Sequence, residues 1–384
     1  MSYDVREGAH SVADGVALCR PEIIASNPII PQTHIMERLA LLVAQKKLDA
    51  DYVNVESQSS ALSLMAGATA CGVRSFTATS SQGLATMHES LHSVAGMRLP
   101  TTMIVTNRAL STPTNIWSDH SDSMSQRDTS WLQFYAETVQ EALDLTIQSY
   151  RIAESKDVLL PAMVCMDGYL LTHSYEPVDI PSQSDVDDLL PPLGLDHKLD
   201  TEKPLTLGPF TTPDEYMEFK YEQKEAMDRA KTKIKDVNKE FGDKFGRSYG
   251  DGLTECMGKD YDLALVAAGS ICGTLKDVAE DRCGLIKIRS YRPFPIKELR
   301  KTAKNFKALG VIDQSFSYGF HGQLFSEVKS TVDVPVKGFV AGLGGRDIRV
   351  EDVEQMISGL ESYEQDEENE DEVEWINLKD KKKE

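Results

Sequence analysis

Between Glu22 and about Gly168 the sequence alternates strand-like and helix-like segments, and this alternation constrains the fold more than any other feature. PQTHIMERLALLVAQKKL carries apolar residues at 35, 39, 42 and 43, a helical period, with Pro31 and Thr33 suited to its first turn. DYVNVE reads as a strand, SQSSALSLMAGATACG as a helix and VRSFTAT as the next strand. GLATMHESLHSVAGMRL is helical, TTMIVTN a strand, ETVQEALDLTIQSYRIAE a helix and VLLPAMVCMDG a strand. Strands separated by helices imply a parallel sheet wound by crossover connections. The Ala, Ser and Gly of SQSSALSLMAGATACG are expected to bring that helix close to the sheet, behind a strand bound for the interior.

Residues 181–258 break the rhythm. A Pro- and Asp-rich connector precedes a long charged helix, about Pro213 to Phe241, whose expected packing stripe is Tyr216, Phe219, Met227, Ala230, Ile234, Val237 and Phe241. A second alternating unit follows, with strands DLALVAAG, LIKIRSY, ALGVID and VKGFVAGL. The predicted fold class is α/β, with two parallel-sheet domains. The divisions are 1–180, a connector 181–258, a smaller domain 259–360 and a tail 361–384. From Glu361 the tail holds 11 acidic and 4 basic residues and is expected to be disordered.

Composition excludes several functions. The net charge of −20 disfavours nucleic acid as a partner. No run approaches the roughly 18–20 apolar residues of a membrane span, and MSYDVREGAH lacks the apolar core of a signal peptide. The six cysteines are scattered without a C-x-x-C pair, which suits a reducing cytoplasm. It also leaves this chain without an iron–sulfur or zinc ligand set, so no metal site is expected in it.

Ligands of open α/β sheets bind beyond the carboxyl ends of the strands. Three strands end there on polar residues: DYVNV on Glu56, SFTAT on Ser80-Ser81-Gln82-Gly83, and MIVT on Asn107-Arg108. Each alone can be an ordinary cap. On one rim they would place a carboxylate, a helix N-terminus and a guanidinium together. A carboxylate in a dry cleft can share a proton with a heterocycle nitrogen. An Arg can grip a carboxylate through two parallel hydrogen bonds. The Ser81-Gln82 turn can offer backbone N–H groups.

Three other motifs carry less. His88-Glu89-Ser90-Leu91-His92 matches the H-E-x-x-H zinc pattern, but Ala95 and Arg98 stand where an extended version needs Gly and His. Gly250-Asp251-Gly252 lacks the preceding strand and following Asn of a magnesium-diphosphate motif and reads as a loop. GLGGRD at 342–347 reads as a tight turn or a contact loop for a partner or cofactor.

PIIPQTHIME, VESQSSALSLMAGATACGVRSFTATSSQGLATMHESLH, the long NRALS…NIW…DHSDSMSQRD block and LLPAMVCMDGYLLTHSYEPV closely resemble the α subunit of 2-oxoacid:ferredoxin oxidoreductases, pyruvate:ferredoxin oxidoreductase above all. IRSYRPFP and FVAGLGGRDI extend the resemblance into the second unit. It implies a first domain like the pyrimidine-binding domain of thiamine diphosphate enzymes and a second like the transketolase C-terminal domain. It implies CoA-dependent oxidative decarboxylation of pyruvate to acetyl-CoA and CO2, with electrons passed to ferredoxin. It further implies β, γ and δ partner subunits, with Mg2+ and [4Fe-4S] clusters residing in them, and thiamine diphosphate shared with β.

By the same resemblance, Glu56 bonds the aminopyrimidine. Pro28, Ile30, Ser81 and Gln82 line the cofactor, and Arg108, Asn107 and Ile30 face the substrate. Two departures accompany the match. The family's Tyr-Pro-Ile-Thr-Pro loop reads Asn27-Pro28-Ile29-Ile30-Pro31 here, and its Ser-Glu-His-Ser reads Ser57-Gln58-Ser59-Ser60. They keep open another 2-oxoacid (2-oxoisovalerate, 2-oxoglutarate or an aryl pyruvate) and a non-catalytic assembly role.

Overall fold

The alternating segments form two mixed sheets in the computed structural model, which describes residues 4–279, 282–365 and 372–379. The strands are β1 (Asp4–Glu7), β2 (Ile23–Ser26), β3 (Asp51–Asn54), β4 (Ser75–Thr79), β5 (Thr102–Asn107), β6 (Leu132–Tyr135), β7 (Ala162–Asp167), β8 (Tyr175–Val178), β9 (Thr254–Met257), β10 (Leu263–Ala267), β11 (Gly284–Ile288), β12 (Ser290–Arg292), β13 (Ala308–Asp313), β14 (Val336–Val340) and β15 (Val373–Trp375). The first sheet runs β12-β6-β7-β5-β4-β2-β3 and the second β15-β14-β13-β10-β11-β9, while β1 and β8 pair separately. The α/β class stands. Within it, β12 joins β6 and β9 joins β11 antiparallel, so neither sheet is purely parallel.

The helices that position the site are α1 (Gly8–Leu18), α2 (Thr33–Ala44), α3 (Gln58–Ala70), α4 (Ser81–Thr86), α5 (His88–Gly96), α6 (Ser121–Met124) and α7 (Val139–Ala153). α2 buries Ile35, Leu39 and Leu42, as its apolar period predicts. α3 starts where Ser57 Oγ accepts the Ser60 N–H at 3.1 Å. Its small residues divide between the face that packs on the sheet, with Ala61 and Ala70 buried, and the outer face. α3 packs through Ala61, Leu62 and Met65, while Ser63 and Gly67 are exposed, and a Cβ added to Gly67 would meet nothing within 4 Å. β3 is also no interior strand. It is the open edge of the first sheet and only partly covered.

α7 is buried on nearly every side. Thr138 Oγ1 accepts the Glu141 N–H, and the Glu141 carboxylate accepts the Glu137 N–H, which closes the helix start from both sides. Glu137 and Glu141 then meet Lys287 and Arg289 from β11 and the link to β12. Lys287 Nζ lies 2.8 Å from Glu137 and 2.6 Å from Glu141, and Arg289 Nε lies 2.8 Å from Glu141. One hydrophobic core runs from Met103 and Tyr135 of the first unit to Val266 and Ile288 of the second.

The connector belongs to the first unit's surface rather than to open chain. The long helix Pro213–Phe245 buries Ala226, Ala230, Ile234 and Val237 in the first unit's core. Its first turns leave Tyr216 and Phe219 exposed, so the expected stripe holds only from Ala226 onward. Part of the segment expected to be disordered is ordered. Residues 361–365 continue the helix Val350–Gln365, and β15 pairs parallel with β14. Residues 366–371 and 380–384 lie outside the described residues.

Candidate functional site

The strands β2, β3, β4 and β5 are parallel, so their carboxyl ends share one rim. Reading across, the rim presents Glu56, the loop Asn27–Pro31, Ser80–Gly83 and Asn107–Arg108. The strand β2, unmarked in the sequence reading, separates β3 from β4 and inserts the Asn27–Pro31 loop between them. That loop ties the two flanks together. Asn27 Nδ2 donates to Val55 O at 3.0 Å, and Gln58 Nε2 donates to Asn27 O at 2.6 Å. On the other side, Arg108 Nη1 donates to Ile30 O at 3.1 Å.

Arg108 is buried, with Nε bonded to Asn115 O at 3.0 Å. Its guanidinium is held by two backbone carbonyls and faces no carboxylate within ion-pair distance among the described residues. This leaves the side chain oriented and its charge uncompensated, which is what a bound carboxylate requires. Asn107 does not face outward. Its Nδ2 donates to Asp122 Oδ1 and Ser123 Oγ, both at 2.8 Å.

Asp122 is the residue that sequence reasoning missed. Its Oδ2 accepts the N–H groups of Ser81 (2.9 Å) and Arg108 (3.0 Å), and its Oδ1 accepts those of Asn107 Nδ2 and Ser123. One carboxylate therefore fixes the ends of β4 and β5 together. It lies inside the DHSDSM segment, and that specific block was the only signal available. The Ser81 N–H is consequently engaged, and the Gly83 N–H returns to Ser80 O. The turn offers fewer free backbone donors than expected.

Burial pushes Asp122 up to about 6 and Asp313, at the end of β13, up to about 7. Both carboxyls hold a proton more tightly in the folded chain than in the unfolded one. The stability they contribute is present below pH 3.8, their ordinary value, and is lost as pH rises through 6 and 7. A tenfold difference in proton affinity between the two states is worth about 1.4 kcal/mol. Melting temperature should therefore be higher at pH 5.5 than at pH 8. Asp313→Asn should flatten the upper part of that slope in a thermal melt series, and an unchanged slope would count against it.

The second unit reaches the site through GLGGRD. Asn115 Nδ2 donates to Gly344 O at 3.0 Å, and the Gly344 N–H donates to Asp119 Oδ2 at 3.1 Å. Gly345 has φ +75°, and a Cβ there would lie 2.3 Å from Trp117 Cβ. The glycine turn thus presses on the segment whose Asn115 carbonyl orients Arg108. Asp167, His120 and Ser270 join the units beside it, with His120 Nε2 2.8 Å from Asp167 Oδ1 and the Ser270 N–H donating to Asp167 Oδ2.

Glu56 sits just before α3 with an exposed side chain and no partner among the described residues. In this chain it borders solvent rather than a dry cleft. Ile30 is 43% exposed. Nearby, Gln58 Oε1, Thr79 Oγ1, Ser80 Oγ and Gln82 Nε2 are buried without a hydrogen-bond partner among the described residues. Gly83 lets them crowd together, since a Cβ there would lie 2.7 Å from Thr79 Oγ1 and 3.0 Å from Gln58 Cγ. Buried polar atoms are rarely left unpaired. Such a set, beside an open carboxylate, fits a polar heterocycle.

The weaker motifs resolve as turns and surface. His88, Glu89 and His92 face solvent, while α5 buries Leu91, Val94 and Ala95. Gly250 and Gly252 adopt φ +52° and +88° in a turn closed by Asp251 Oδ1, which accepts from Leu253 and Thr254 N–H.

The family model described as "Pyruvate flavodoxin/ferredoxin oxidoreductase, thiamine diP-bdg" matches residues 14–239. A second, "Pyruvate:ferredoxin oxidoreductase core domain II", matches residues 262–353. The chain is 45% identical to the pyruvate synthase subunit PorA of Methanothermobacter thermautotrophicus, over 99% of both chains. It is 41% identical to the ketoisovalerate oxidoreductase subunit VorA of Pyrococcus abyssi, over 98% of both. A solved 2-oxoglutarate:ferredoxin oxidoreductase from Magnetococcus marinus superposes with a TM-score of 0.72 at 19% identity, over 93% of this chain and 65% of that one. That likeness is one of fold.

Proposed function

The chain belongs to the pyruvate flavodoxin/ferredoxin oxidoreductase family, and we propose on that footing that it is the α subunit of a pyruvate:ferredoxin oxidoreductase. The reaction is pyruvate, CoA and oxidised ferredoxin giving acetyl-CoA, CO2 and reduced ferredoxin. The observation that carries it is the Asn27–Pro31 loop, which bonds the flank of Glu56 on one side and Arg108 on the other. One short segment thereby relates an open carboxylate to a guanidinium that lacks a counter-ion.

The residues fit thiamine diphosphate, with its pyrimidine against Glu56, Gln58, Ser80 and Gln82. When bound, it would supply a nucleophilic carbon that adds to the 2-oxo group and accepts the electrons left by decarboxylation. Glu56 holds a proton at a pyrimidine nitrogen. Arg108, oriented by Asn115 O and Ile30 O, takes the substrate carboxylate. Asp122 keeps the two strand ends in register, and Pro28 and Ile30 shape the wall between the groups. A β subunit would complete the pocket, cover Glu56 from water and hold the diphosphate with Mg2+. Iron–sulfur clusters would lie in β and δ, with γ completing the assembly and ferredoxin as acceptor. All six cysteines here are free, which suits that division and a reducing cytoplasm.

Ile30 is the residue that bears on substrate. Its side chain is apolar and partly open beside Arg108, a wall that would also accept the branched tail of 2-oxoisovalerate. Copurification with the partner chains, followed by CoA-dependent viologen reduction with a panel of 2-oxoacids, tests the assignment. Pyruvate should be preferred, and a chain that recovers no partners and supports no 2-oxoacid-dependent reduction would sink it. In the same assay Arg108→Lys should raise KM for pyruvate. A charged hydrogen bond is worth about 1.5–3 kcal/mol, or roughly 10–150-fold.

A further inference from the structure

The sequence offered H-E-x-x-H as its zinc-like pattern, yet the fold gathers a different set of donors from three distant segments. Glu7 ends β1, His34 is the second residue of α2, and His173 lies in the loop between β7 and β8. One donor atom from each lies within 4.8 Å of the others. His34 Nδ1 is 2.5 Å from Glu7 Oε1. We propose that Glu7, His34 and His173 form a binding site for a divalent first-row transition ion of the zinc type.

The donor set selects the chemistry. Two imidazole nitrogens and one carboxylate oxygen suit zinc, cobalt or nickel rather than magnesium or calcium, which prefer oxygen alone. Tetrahedral zinc with bonds of about 2.0–2.2 Å needs donors roughly 3.4 Å apart, so small side-chain movements close the set. The surroundings hold the ligands in place. Thr172 Oγ1 lies 2.7 Å from His173 Nδ1 and accepts the Tyr169 N–H. The His173 ring stacks between those of His34 and Tyr169, with centroids 4.7 and 4.8 Å away. Such outer contacts orient metal-binding imidazoles. Glu7 is nearly buried, and His10 Nδ1, 3.7 Å from Glu7 Oε2, stands nearest as a further donor.

The site has a structural consequence. His34 follows the Asn27–Pro31 loop by three residues, and Gly168 packs so tightly on Pro31 that a Cβ there would lie 2.8 Å from Pro31 Cγ. An ion joining His34 to His173 would clamp that loop to the end of β7. The inference rests on this chain's own residues and not on the reaction proposed for it.

The test uses the full chain, stripped with chelator, then titrated with zinc in a calorimeter and with cobalt(II) in a visible-absorption cell. One saturable zinc per chain is expected, together with the intense visible band of cobalt in a site of low coordination number. Glu7→Gln, His34→Asn and His173→Asn should each weaken zinc roughly 10–100-fold or more. The His88→Asn/His92→Asn double variant should bind like the unaltered chain. Thermal melts in chelator check folding, and the nearly isosteric Glu7→Gln together with the cobalt spectrum of the unaltered chain keeps the test decisive if a His variant unfolds. No saturable zinc, zinc retained by the Glu7 and His173 variants, or zinc lost only with His88 and His92 would each overturn the proposal.

Discussion

Glu56→Gln in the assembled complex should lower 2-oxoacid-dependent ferredoxin reduction by about 10²–10⁴-fold, the usual contribution of one positioned proton-transfer group. Gln keeps the shape and a hydrogen bond but cannot hold or release the proton. The substitution should leave folding unchanged. The carboxylate is exposed, follows the strand rather than pairing within it, and has no partner among the described residues. The melting temperature of the isolated chain is thus the internal control. Steady-state viologen reduction with pyruvate and CoA is the readout, and a variant retaining full rate would remove Glu56 from the chemistry.

Lys287→Met should destabilise the chain by about 3–5 kcal/mol, the range for removing one member of a buried ion pair. Lys287 and Arg289 are both essentially inaccessible, as is Glu141. Burial alone would raise the Glu141 carboxyl, but Lys287 and Arg289 reverse this and hold it below its ordinary value. Without Lys287, Glu141 retains Arg289 as its one ion-pair partner among the described residues, while Glu137 keeps Lys276 at 2.6 Å. The loss should appear in denaturant melts as a lower midpoint. It should be much smaller for Lys276→Met, whose amine is partly exposed and whose removal leaves Lys287 on Glu137. Equal losses for the two variants would refute this account.

The alternation was legible where a helix carries a 3.6-residue apolar period, as Thr33–Ala44 does, and where a strand is rich in β-branched and apolar residues, as Thr102–Asn107 is. The four-residue strands Ile23–Ser26 and Leu132–Tyr135 went unmarked, whereas Asp51–Asn54, equally short, was read within DYVNVE. Glu56 was singled out for a partly mistaken reason. It does follow a strand at the carboxyl rim of the sheet, but that strand is an open edge, and of the small residues behind it Ala61 and Ala70 pack inward while Ser63 and Gly67 face outward. The place of Arg108 on the rim was legible from its position after a strand, whereas its orientation depends on Asn115 and, through Asn115, on Gly344 more than two hundred residues later. No local pattern encodes such a link. The same holds for Asp122, whose four N–H donors come from three segments, and for Glu7, His34 and His173. The strand Val373–Trp375 was hidden by the charge around it, since acidic neighbours mask a three-residue pairing.

The strand Ser290–Arg292 lies within the second unit's stretch of sequence yet completes the first unit's sheet against Leu132–Tyr135. Recombination between the two halves would therefore leave Leu132–Tyr135 as a raw edge, a template for pairing with other chains. Two modules can be read along the chain, but only one can be inherited. A gene fission or exchange near residue 259 would have to carry Ser290–Arg292 with the first half, and contiguous sequence does not allow it.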